Sequence, residues 1–302
     1  MIMFKSAERF AELHERLGGK VEMFEGIPWV EYNKMVVPVG PVKLNYSISK
    51  EKASFLLSKF PDALLVRCAD GFENTNCCKE WYAVICDKFS ELNVLSGNTR
   101  SKIKRGFKNC AVKRVDSNFI AEHGFNVFIS AFKKYRGVKK PDISEMDFKK
   151  RGFLMKQFDD IVHHWCVFHK NKMIAYSVNY IYDDIEANYS TIKFHADFLK
   201  LYPAYALFYT MNKYYLNERK FWYVNDGFRN ILHQTNIQEF LIDKFKFTKV
   251  YTKLYLFYKP NLAVYLSASY PLRNFIGKIS PKLAALYKLE EIRRNYKNSS
   301  NN

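Results

Sequence analysis

Three stretches in the middle of the chain have the composition and spacing of consecutive β-strands. They are "HHWCVFHK" (residues 163 to 170), "KMIAYSVNYIY" (172 to 182) and "IEANYSTIKF" (185 to 194). The turn segments between them, residues 170 to 172 and 183 to 184, are too short for a crossover connection, so neighbouring strands must pair antiparallel. The sequence therefore predicts a three-stranded antiparallel meander.

A helix is predicted directly after the third strand. Pro203 suits the first turn of a helix, because the N–H group that it lacks would have no partner there. Apolar residues then recur at i, i+3, i+4, i+7 and i+11, which places them on one helical face. These residues are Ala204, Leu207, Phe208, Met211 and Tyr215. The pattern predicts a helix that begins at Pro203 and buries this face.

A strand, a helix and a last strand complete this half of the chain. "FWYVNDGF" (residues 221 to 228) alternates as a strand does. Thr235 and Gln238 have the T-x-x-Q spacing of a capping box and predict the start of the helix. The core face of that helix is Ile237, Phe240, Leu241 and Phe245. "KVYTKLYLFYK" (residues 249 to 259) predicts one closing strand.

Residues 1 to 92 predict a smaller mixed unit. A helix around residues 5 to 17 stops at Gly18 and Gly19, and Ser49 caps a second helix, "KEKASFLLSKF". The predicted extended segments are residues 29 to 40, residues 42 to 48, "DALLVRCA" and "EWYAVICDKF". Two helices among several strands are typical of an α/β layer.

The positive charge of the chain lies almost entirely in its later part. Residues 1 to 92 hold 12 basic and 13 acidic residues, whereas residues 93 to 302 hold 36 basic and 17 acidic ones. Such a surface indicates either a polyanionic partner, such as a phosphorylated cofactor, RNA or an anionic membrane, or simple solubility.

The segment "LSGNTRSKIKRGFKNCAVKRV" concentrates this charge. No acidic residue occurs between Thr99 and Val115, and Asn98 or Thr99 is expected to cap a short helix over residues 100 to 108. The basic residues are Arg100, Lys102, Lys104, Arg105, Lys108, Lys113 and Arg114. This helix either holds phosphates or forms a solvated face.

These patterns predict an α/β chain with mixed α+β sheets. The expected domains are residues 1 to 92, residues 93 to 260 and a basic helical extension, residues 261 to 302, in which "NYKNSSNN" is expected to be disordered. The six cysteines lack the spacing of a zinc site, so no metal is expected and the thiols are expected to be reduced. Without a signal-peptide pattern or a long apolar run, we expect a cytoplasmic protein.

The predicted order of elements resembles the GNAT acyltransferase fold, and more narrowly the FemAB-type and BioF2-like branch with two GNAT-like domains in tandem. The segments that carry this resemblance best are "TRSKIKRGFKNCAV", "YPAYALFYTMNKYYLNE" and "HQTNIQEFLIDKFKFTKVYTKLYLFY". The resemblance implies an N-acyltransferase whose second domain is complete. It also implies acyl-CoA as co-substrate or, as in Fem-type relatives, aminoacyl-tRNA.

The resemblance further implies which residues meet the donor. A splayed strand over residues 185 to 194 would place Asn188, Tyr189, Ser190 and Thr191 near the acyl group. The pyrophosphate would lie on the helix start, at Lys200, Tyr202, Ala204, Tyr205 and Ala206. Pro203 departs from the family pattern, because it replaces the central glycine and removes an amide donor. This departure puts coenzyme A in doubt and favours the aminoacyl-tRNA alternative.

Polar residues crowd the segment that follows the strand "FWYV". Asp226 is expected to bind the substrate amine or to accept its proton, and the alternative is that it caps the loop locally. His233 is the histidine best suited to act near neutral pH, and its alternative role is a loop histidine before a helix. Arg229 and Gln234, with Asn236, are the candidates for binding substrate.

The remaining histidines and tyrosines have weaker functional signals. His163, His164, His169 and His195 flank strands and are expected at the surface. Besides Tyr189, the tyrosines at 205 and 209 are candidates to protonate a leaving thiolate, a role that GNAT relatives often give to tyrosine. Core packing is the alternative for each of them.

Two functions are consistent with the sequence. The first is an N-acyltransferase that acts on a small-molecule or cell-envelope amine. The second is a non-catalytic, degenerate GNAT pair that binds tRNA or another RNA, or an anionic membrane surface at which it would be peripheral, through its basic half. The cluster over residues 225 to 236 favours the enzyme, and Pro203 favours the binding protein.

Overall fold

The computed structural model describes residues 4 to 72, 79 to 134, 141 to 231 and 236 to 299. Within them the β-strands are β1 (Val21–Phe24), β2 (Ile27–Tyr32), β3 (Met35–Pro38), β4 (Leu65–Asp70), β5 (Tyr82–Cys86), β6 (Ala111–Val115), β7 (Val162–His169), β8 (Lys172–Tyr182), β9 (Glu186–Phe194), β10 (Tyr223–Phe228), β11 (Thr248–Tyr251) and β12 (Lys253–Tyr258). The α-helices are α1 (Ala7–Arg16), α2 (Lys50–Lys59), α3 (Gly97–Asn109), α4 (Ser117–His123), α5 (Phe125–Ala131), α6 (Glu145–Leu154), α7 (Pro203–Asn212), α8 (Ile237–Phe245), α9 (Pro260–Ser269), α10 (Arg273–Ile279) and α11 (Pro281–Ser299).

The chain divides into two compact units. Unit 1 comprises residues 1 to 83, 228 to 235 and 249 to 302, and unit 2 comprises residues 84 to 227 and 236 to 248. The units are therefore interleaved along the sequence, whereas the sequence predicts successive domains. Because the last strand and the C-terminal helices return to the first sheet, the C-terminal segment belongs with the N-terminal one.

Unit 1 is built on a five-stranded sheet in the order β1-β2-β3-β4-β12. β4 pairs antiparallel with β12 and parallel with β3. One face packs on α2 through Leu56 and Val66, and the other packs on α11 through Leu65 and Ile292. Neighbouring residues of β4 thus supply two separate cores, as expected for a strand buried on both faces.

The predicted extended segment over residues 42 to 48 is not a strand. The amide of Leu44 donates to Pro41 O (3.0 Å), which closes a turn, and the Tyr46 hydroxyl donates to the same carbonyl (2.9 Å). Val42 and Tyr46 are buried. The apolar residues of this segment therefore serve as loop residues that cover the core.

Unit 2 contains most of a seven-stranded sheet in the order β11-β5-β10-β9-β8-β7-β6. β7, β8 and β9 pair antiparallel, which confirms the predicted meander. One face of the meander packs on α4 and α5 through Ile120, Val127 and Cys166. On the opposite face the Tyr215 hydroxyl, from the helical segment after α7, accepts a hydrogen bond from Trp165 Nε1 (3.0 Å).

The helix after the meander begins as the sequence predicts. Pro203 is the first residue of α7, and Tyr202 before it adopts the left-handed conformation (φ 61°). α7 continues as a π-helix over Lys213–Glu218. Leu207, Phe208, Met211 and Tyr215 are buried, so the predicted apolar face forms the core side of this helix.

The prediction of a single closing strand over residues 249 to 259 is wrong. β11 belongs to the seven-stranded sheet and β12 to the five-stranded sheet, and Thr252 lies between them. Thr252 is fully buried, and its hydroxyl and amide donate to Asp70 O (2.6 Å) and Trp81 O (3.0 Å). These two hydrogen bonds hold the chain where it changes sheets.

Three helix ends also differ from the prediction. α3 is capped by Ser96, whose hydroxyl accepts from the amide of Thr99, so the basic helix is longer than predicted. α8 has Asn236 before its first residue. α11 extends to Ser299, into the tail expected to be disordered.

None of the described helices is long and apolar enough to cross a membrane.

Candidate functional site

The pairing between β9 and β10 ends in the middle of both strands. The two strands are parallel, with Tyr223 opposite Glu186 and Asn225 opposite Asn188 as the first and last of three residue pairs. β9 continues to Phe194 and stays paired with β8 on its other edge. The β10-facing edge of β9 after Asn188 therefore lies beyond this ladder, as expected for the splayed strand of the resemblance.

An irregularity in β9 coincides with this point. Val178 in β8 faces Thr191, whereas Tyr180 faces Asn188, so β9 holds one more residue than β8 between these pairs. An extra residue forms a β-bulge, which bends the strand and redirects its side chains. The bulge contains Tyr189 and Ser190, two of the residues predicted to lie near the acyl group.

Side chains of β9 and β10 divide between two faces at this place. Because side chains alternate along a strand, Asn188 and Asn225 point to one face, and Tyr189 and Asp226 point to the other. Contacts place the two helices on this face, since the Tyr189 hydroxyl donates to Asn212 Oδ1 in α7 (2.7 Å) and Gln238 Nε2 of α8 donates to the backbone carbonyl of Asp226 (3.4 Å). Asp226 thus lies on the face that α7 and α8 cover.

Asp226 has the electrostatic properties of a proton acceptor near neutral pH. The residue is partly exposed, yet its carboxyl group is enclosed by protein atoms, and this burial raises its pKa to about 7. The hydrogen bond from Gln238 acts in the opposite direction and is the weaker effect. A carboxyl group with this pKa exchanges a proton readily at physiological pH.

Tyr189 is a donor that stays protonated. Burial raises its pKa well above the ordinary value, and the charges of Tyr215, Cys86 and Asp226 act in the same direction. Its proton is directed at Asn212 Oδ1. The hydroxyl is therefore within electrostatic range of Asp226, but its hydrogen bond holds it toward α7.

The opposite face carries a buried polar pair that sequence reasoning missed. Glu186 and Asn225 are fully buried, and Asn225 Nδ2 donates to Glu186 Oε1. Asn225 Oδ1 accepts from the amide of Gly227 (2.5 Å), a residue with φ 84°. This network fixes the turn directly after Asp226. The only sign of this pair in the sequence is Glu186, a charged residue at the start of an otherwise apolar strand candidate.

The predicted donor-binding residues of β9 have different surroundings. Asn188 is half-buried on the face opposite Asp226, and Ser190 is exposed and hydrogen-bonds to Tyr180. Thr191 is partly exposed and pairs with Val178. In this segment the β10-side backbone edge of β9 lies beyond the last β9–β10 pair.

The start of α7 is covered by the basic helix α3. A Cβ atom at Gly106 would lie 2.9 Å from Tyr202 O and 3.3 Å from Ala206 Cβ, so only glycine permits this approach. Arg105 stacks on the Tyr202 ring (4.6 Å to the centroid) and Lys102 on the Tyr205 ring (5.6 Å). Two cations thus lie beside the positive end of the α7 dipole.

The remaining predicted donor residues lie close by in the chain. Lys200 is exposed in a 3-10 turn before α7, and Ala204 is half-buried in its first turn. Tyr205 and Ala206 are buried, and the Tyr205 ring packs against Phe240 of α8 (5.0 Å between centroids). Ala206 faces Gly106 of α3, so its small side chain is also required for the packing of these two helices.

Of the predicted substrate-binding residues, the structure describes Arg229 and Asn236. Arg229 belongs to unit 1, where its guanidinium donates to Glu80 O (2.7 Å). Asn236 is exposed at the start of α8, and its side chain makes no cap hydrogen bond. His233 and Gln234, like the capping residue Thr235, lie outside the described residues.

The expectation of surface histidines is wrong for three positions. His163, His164 and His195 are buried. His163 Nδ1 shares a hydrogen bond with the Tyr215 hydroxyl (3.1 Å), and burial lowers its pKa to about 3. Burial likewise lowers the pKa of His164 to about 4. Residues 163 and 164 lie in β7, an interior strand that is buried on both faces, which explains the error.

The other two tyrosine candidates are packing residues of α7. Tyr209 contacts Phe89 and Phe107 edge-on, at 5.3 and 5.9 Å between centroids. Burial raises its pKa. The four cysteines in the described part of the chain, Cys68, Cys86, Cys110 and Cys166, are free and buried.

Comparison with known proteins identifies the fold. No protein-family model and no curated protein sequence matches the chain. The structure is similar to FemX, with a TM-score of 0.54 and 11% identity over 85% of this chain and 92% of FemX. The chain thus has a FemAB-like fold of the GNAT type, which confirms the predicted fold class.

Two further solved structures are less similar. The C-terminal domain of a putative lysylphosphatidylglycerol synthetase from Agrobacterium fabrum has a TM-score of 0.43 and 15% identity, over 72% of each chain. A tandem GNAT protein from the clavulanic acid biosynthesis pathway has a TM-score of 0.44 and 8% identity, over 76% of this chain and 77% of that one.

Proposed function

We propose that the chain is an N-acyltransferase in which Asp226 accepts the proton of the attacking amine. The observation that carries the proposal is the Asp226 carboxyl group, whose pKa is raised to about 7 and which lies where the pairing of β9 and β10 ends. The FemAB-like fold supports acyl transfer as the reaction class. Burying a carboxyl group with few partners destabilises the folded state. Its presence at a strand end therefore favours a functional role.

The proposed step transfers one acyl group and one proton. The amine nitrogen attacks the carbonyl carbon of the donor, a new C–N bond forms, and the bond from that carbon to the leaving sulfur or oxygen breaks. Asp226 takes the proton that the amine loses and passes it to the departing sulfur or oxygen, so the carboxylate is regenerated. Amides of the β9 backbone after Asn188 would stabilise the negative charge on the carbonyl oxygen.

The donor's phosphate groups would be held at the junction of α3 and α7. A helix N-terminus attracts anions, but Pro203 removes one amide donor from it. Lys102 and Arg105 supply charge at the same place, since each stacks on a tyrosine of the α7 start. Both coenzyme A and the acceptor end of an aminoacyl-tRNA carry phosphates that fit this chemistry, and we propose one of them as the donor.

The acceptor would be an amine, either a small molecule or a component of the cell envelope. A neutral amine is needed for attack, and Asp226 on the covered face of the sheet provides a site where an amine can lose its proton. Because coenzyme A thioesters and aminoacyl-tRNAs are intracellular donors, we propose that the reaction takes place in the cytoplasm.

Donor binding tests the proposal first. Isothermal titration calorimetry of the full chain against acetyl-coenzyme A, coenzyme A and aminoacyl-tRNA identifies the donor, and mass spectrometry with a panel of amines then detects acylated products. We expect Lys102→Ala with Arg105→Ala to weaken donor binding about tenfold or more, because two phosphate contacts are lost.

The matched control uses the same helix. Lys104 and Lys108 are exposed in α3, and neither stacks on the tyrosines of α7 in the described contacts. Lys104→Ala with Lys108→Ala should leave donor binding within about threefold of the parent. If none of the three donors binds, or if the two double variants weaken binding equally, the proposed donor site is wrong.

A further inference from the structure

The helices after β12 expose large apolar side chains. More than 60% of each of four residues is accessible to solvent: Val264 (70%), Leu272 (62%), Phe275 (69%) and Ile279 (71%). They lie in α9, in the 3-10 turn after it and in α10. Leu272, Phe275 and Ile279 are spaced by three and four residues, as on one side of a helix. Apolar surface gathered in this way marks an interaction site.

The same segment carries charge of one sign. Between Lys259 and Leu289 the sequence contains five basic residues and no acidic residue. Lys278 and Lys282 are exposed and flank Ile279 in the sequence. Arg273 stacks on the ring of Tyr270, with 4.5 Å between the guanidinium carbon and the centroid. The exposed apolar side chains are therefore accompanied by cations and aromatic rings.

We propose that residues 260 to 282 form a docking surface for an anionic lipid bilayer. Val264, Leu272, Phe275 and Ile279 would enter the boundary between headgroups and acyl chains, while Lys278 and Lys282 remain at the lipid phosphates. Helices of this length lie in the plane of the interface, and none of the described helices is able to span the membrane.

Charge complementarity decides between the bilayer and the other occupants of such a surface. A second copy of the chain would bring an identical segment with positive charge alone, and like charges repel across an interface. Single-stranded nucleic acid is bound by aromatic stacking and a basic groove, whereas three of the four most exposed side chains here are aliphatic. An anionic membrane satisfies both the charges and the aliphatic groups.

The surface goes beyond the proposed function and does not depend on it. Every residue named belongs to unit 1, and Asp226 belongs to unit 2. A protein that fails to transfer acyl groups could still bind vesicles, and the reverse also holds. The binding measurement therefore separates the failure of one proposal from the failure of the other.

Vesicle sedimentation tests the docking surface. We expect the full chain to bind vesicles of phosphatidylcholine with 40% phosphatidylglycerol, and to bind vesicles of phosphatidylcholine alone at least about tenfold more weakly. Phe275→Ser with Ile279→Ser should weaken binding to the anionic vesicles about tenfold or more, because the inserted apolar area is lost. Lys278→Gln with Lys282→Gln should weaken it by a similar factor.

Two controls keep this test specific. Val94 is 62% exposed outside the segment, so Val94→Ser removes a comparable apolar side chain and should leave vesicle binding unchanged. Lys104→Gln with Lys108→Gln removes two cations from α3 and should have less than about a threefold effect. Thermal unfolding should be the same in all variants, because each altered side chain is exposed.

Three results would overturn the proposal. The first is no binding to anionic vesicles. The second is equal weakening by Lys104→Gln with Lys108→Gln and by Lys278→Gln with Lys282→Gln, which would indicate diffuse electrostatic attraction. The third is a dimer in light scattering that Phe275→Ser with Ile279→Ser dissociates, which would make this face a contact between copies of the chain.

Discussion

Asn225 and Asp226 are neighbours in β10, but their side chains lie on opposite faces of the sheet in opposite electrostatic situations. Asn225 is fully buried, and both ends of its amide are hydrogen-bonded, to Glu186 and to the amide of Gly227. Asp226 has a carboxyl group enclosed by protein whose pKa rises to about 7. One face is arranged for stability, and the other carries a group that is costly to keep charged.

The comparison shows how a strand holds a buried carboxyl group. Polar groups in a low-dielectric interior stabilise the fold when they are fully paired, and a carboxyl group with few partners shifts its pKa instead. The network on the Asn225 face fixes the backbone turn at Gly227, directly after Asp226. The hydrogen-bonded network on the Asn225 face thus helps to hold Asp226 in place.

The largest expected effect is on catalysis. Asp226→Asn keeps the shape of the side chain but removes its ability to take a proton, so the turnover rate for acyl transfer should fall about a thousandfold. Mass-spectrometric product formation under single-turnover conditions measures the rate. Asp184→Asn is a suitable control, because Asp184 is an exposed residue whose side chain is 72% accessible. Equal rates in the parent and in Asp226→Asn would remove Asp226 from the mechanism.

The next effect is on stability and concerns the other face. Asn225→Ala removes a hydrogen bond from the buried Glu186 and the acceptor of the Gly227 amide. We expect the free energy of unfolding to fall by about 3 kcal/mol, as measured in urea. Asn188→Ala, on the same face but half-buried, should lower it by about 1 kcal/mol or less. If both substitutions have equal effects, the network has no special role.

The pH dependence of stability separates the two residues further. The pKa of Asp226 is raised from 3.8 to about 7 on folding, so the folded state binds more protons than the unfolded state between these values. The carboxyl group therefore destabilises the fold progressively as pH rises from about 4 to about 7. Asp226→Asn should raise the unfolding free energy clearly at pH 8 and by almost nothing at pH 4. A pH-independent difference would contradict the raised pKa.

The smallest effect is at the turn between the two faces. Gly227 has φ 84°, and a Cβ atom placed there would meet no atom within 4 Å. Gly227→Ala should therefore lower the unfolding free energy by only about 1 kcal/mol, which is the backbone strain of the left-handed region. A loss above about 3 kcal/mol in urea unfolding would indicate a steric role that the structure does not contain.

Much of the fold was predictable because its signals are local. The short turns of the β7 to β9 meander and Pro203 at the start of α7 each determine structure within a few residues. Thr252 shows the limit of local patterns. The alternation of residues 249 to 259 is the same in one strand as in two, and only the distant partners Asp70 and Trp81 determine that the chain changes sheets there.

Of the proposed site, the sequence pointed most directly to Asp226. An acidic residue before a glycine at a strand end is visible in the sequence, whereas the importance of Glu186 depends on its pairing with β10, 37 residues later at Tyr223. His163 and His164 of β7 were misjudged for a similar reason. Their burial depends on the helices that pack on both faces of the sheet, and no residue near them in the sequence signals it.

The pH dependence of acyl transfer tests the central claim most directly. Single-turnover rates with the donor that binds in calorimetry should be measured between pH 5 and pH 9 for the parent chain and for Asp226→Asn. The account predicts that the parent rate rises with an apparent pKa of about 7 and that this transition is absent from the slow variant. The same transition in both proteins would show that another group takes the proton and would contradict the account.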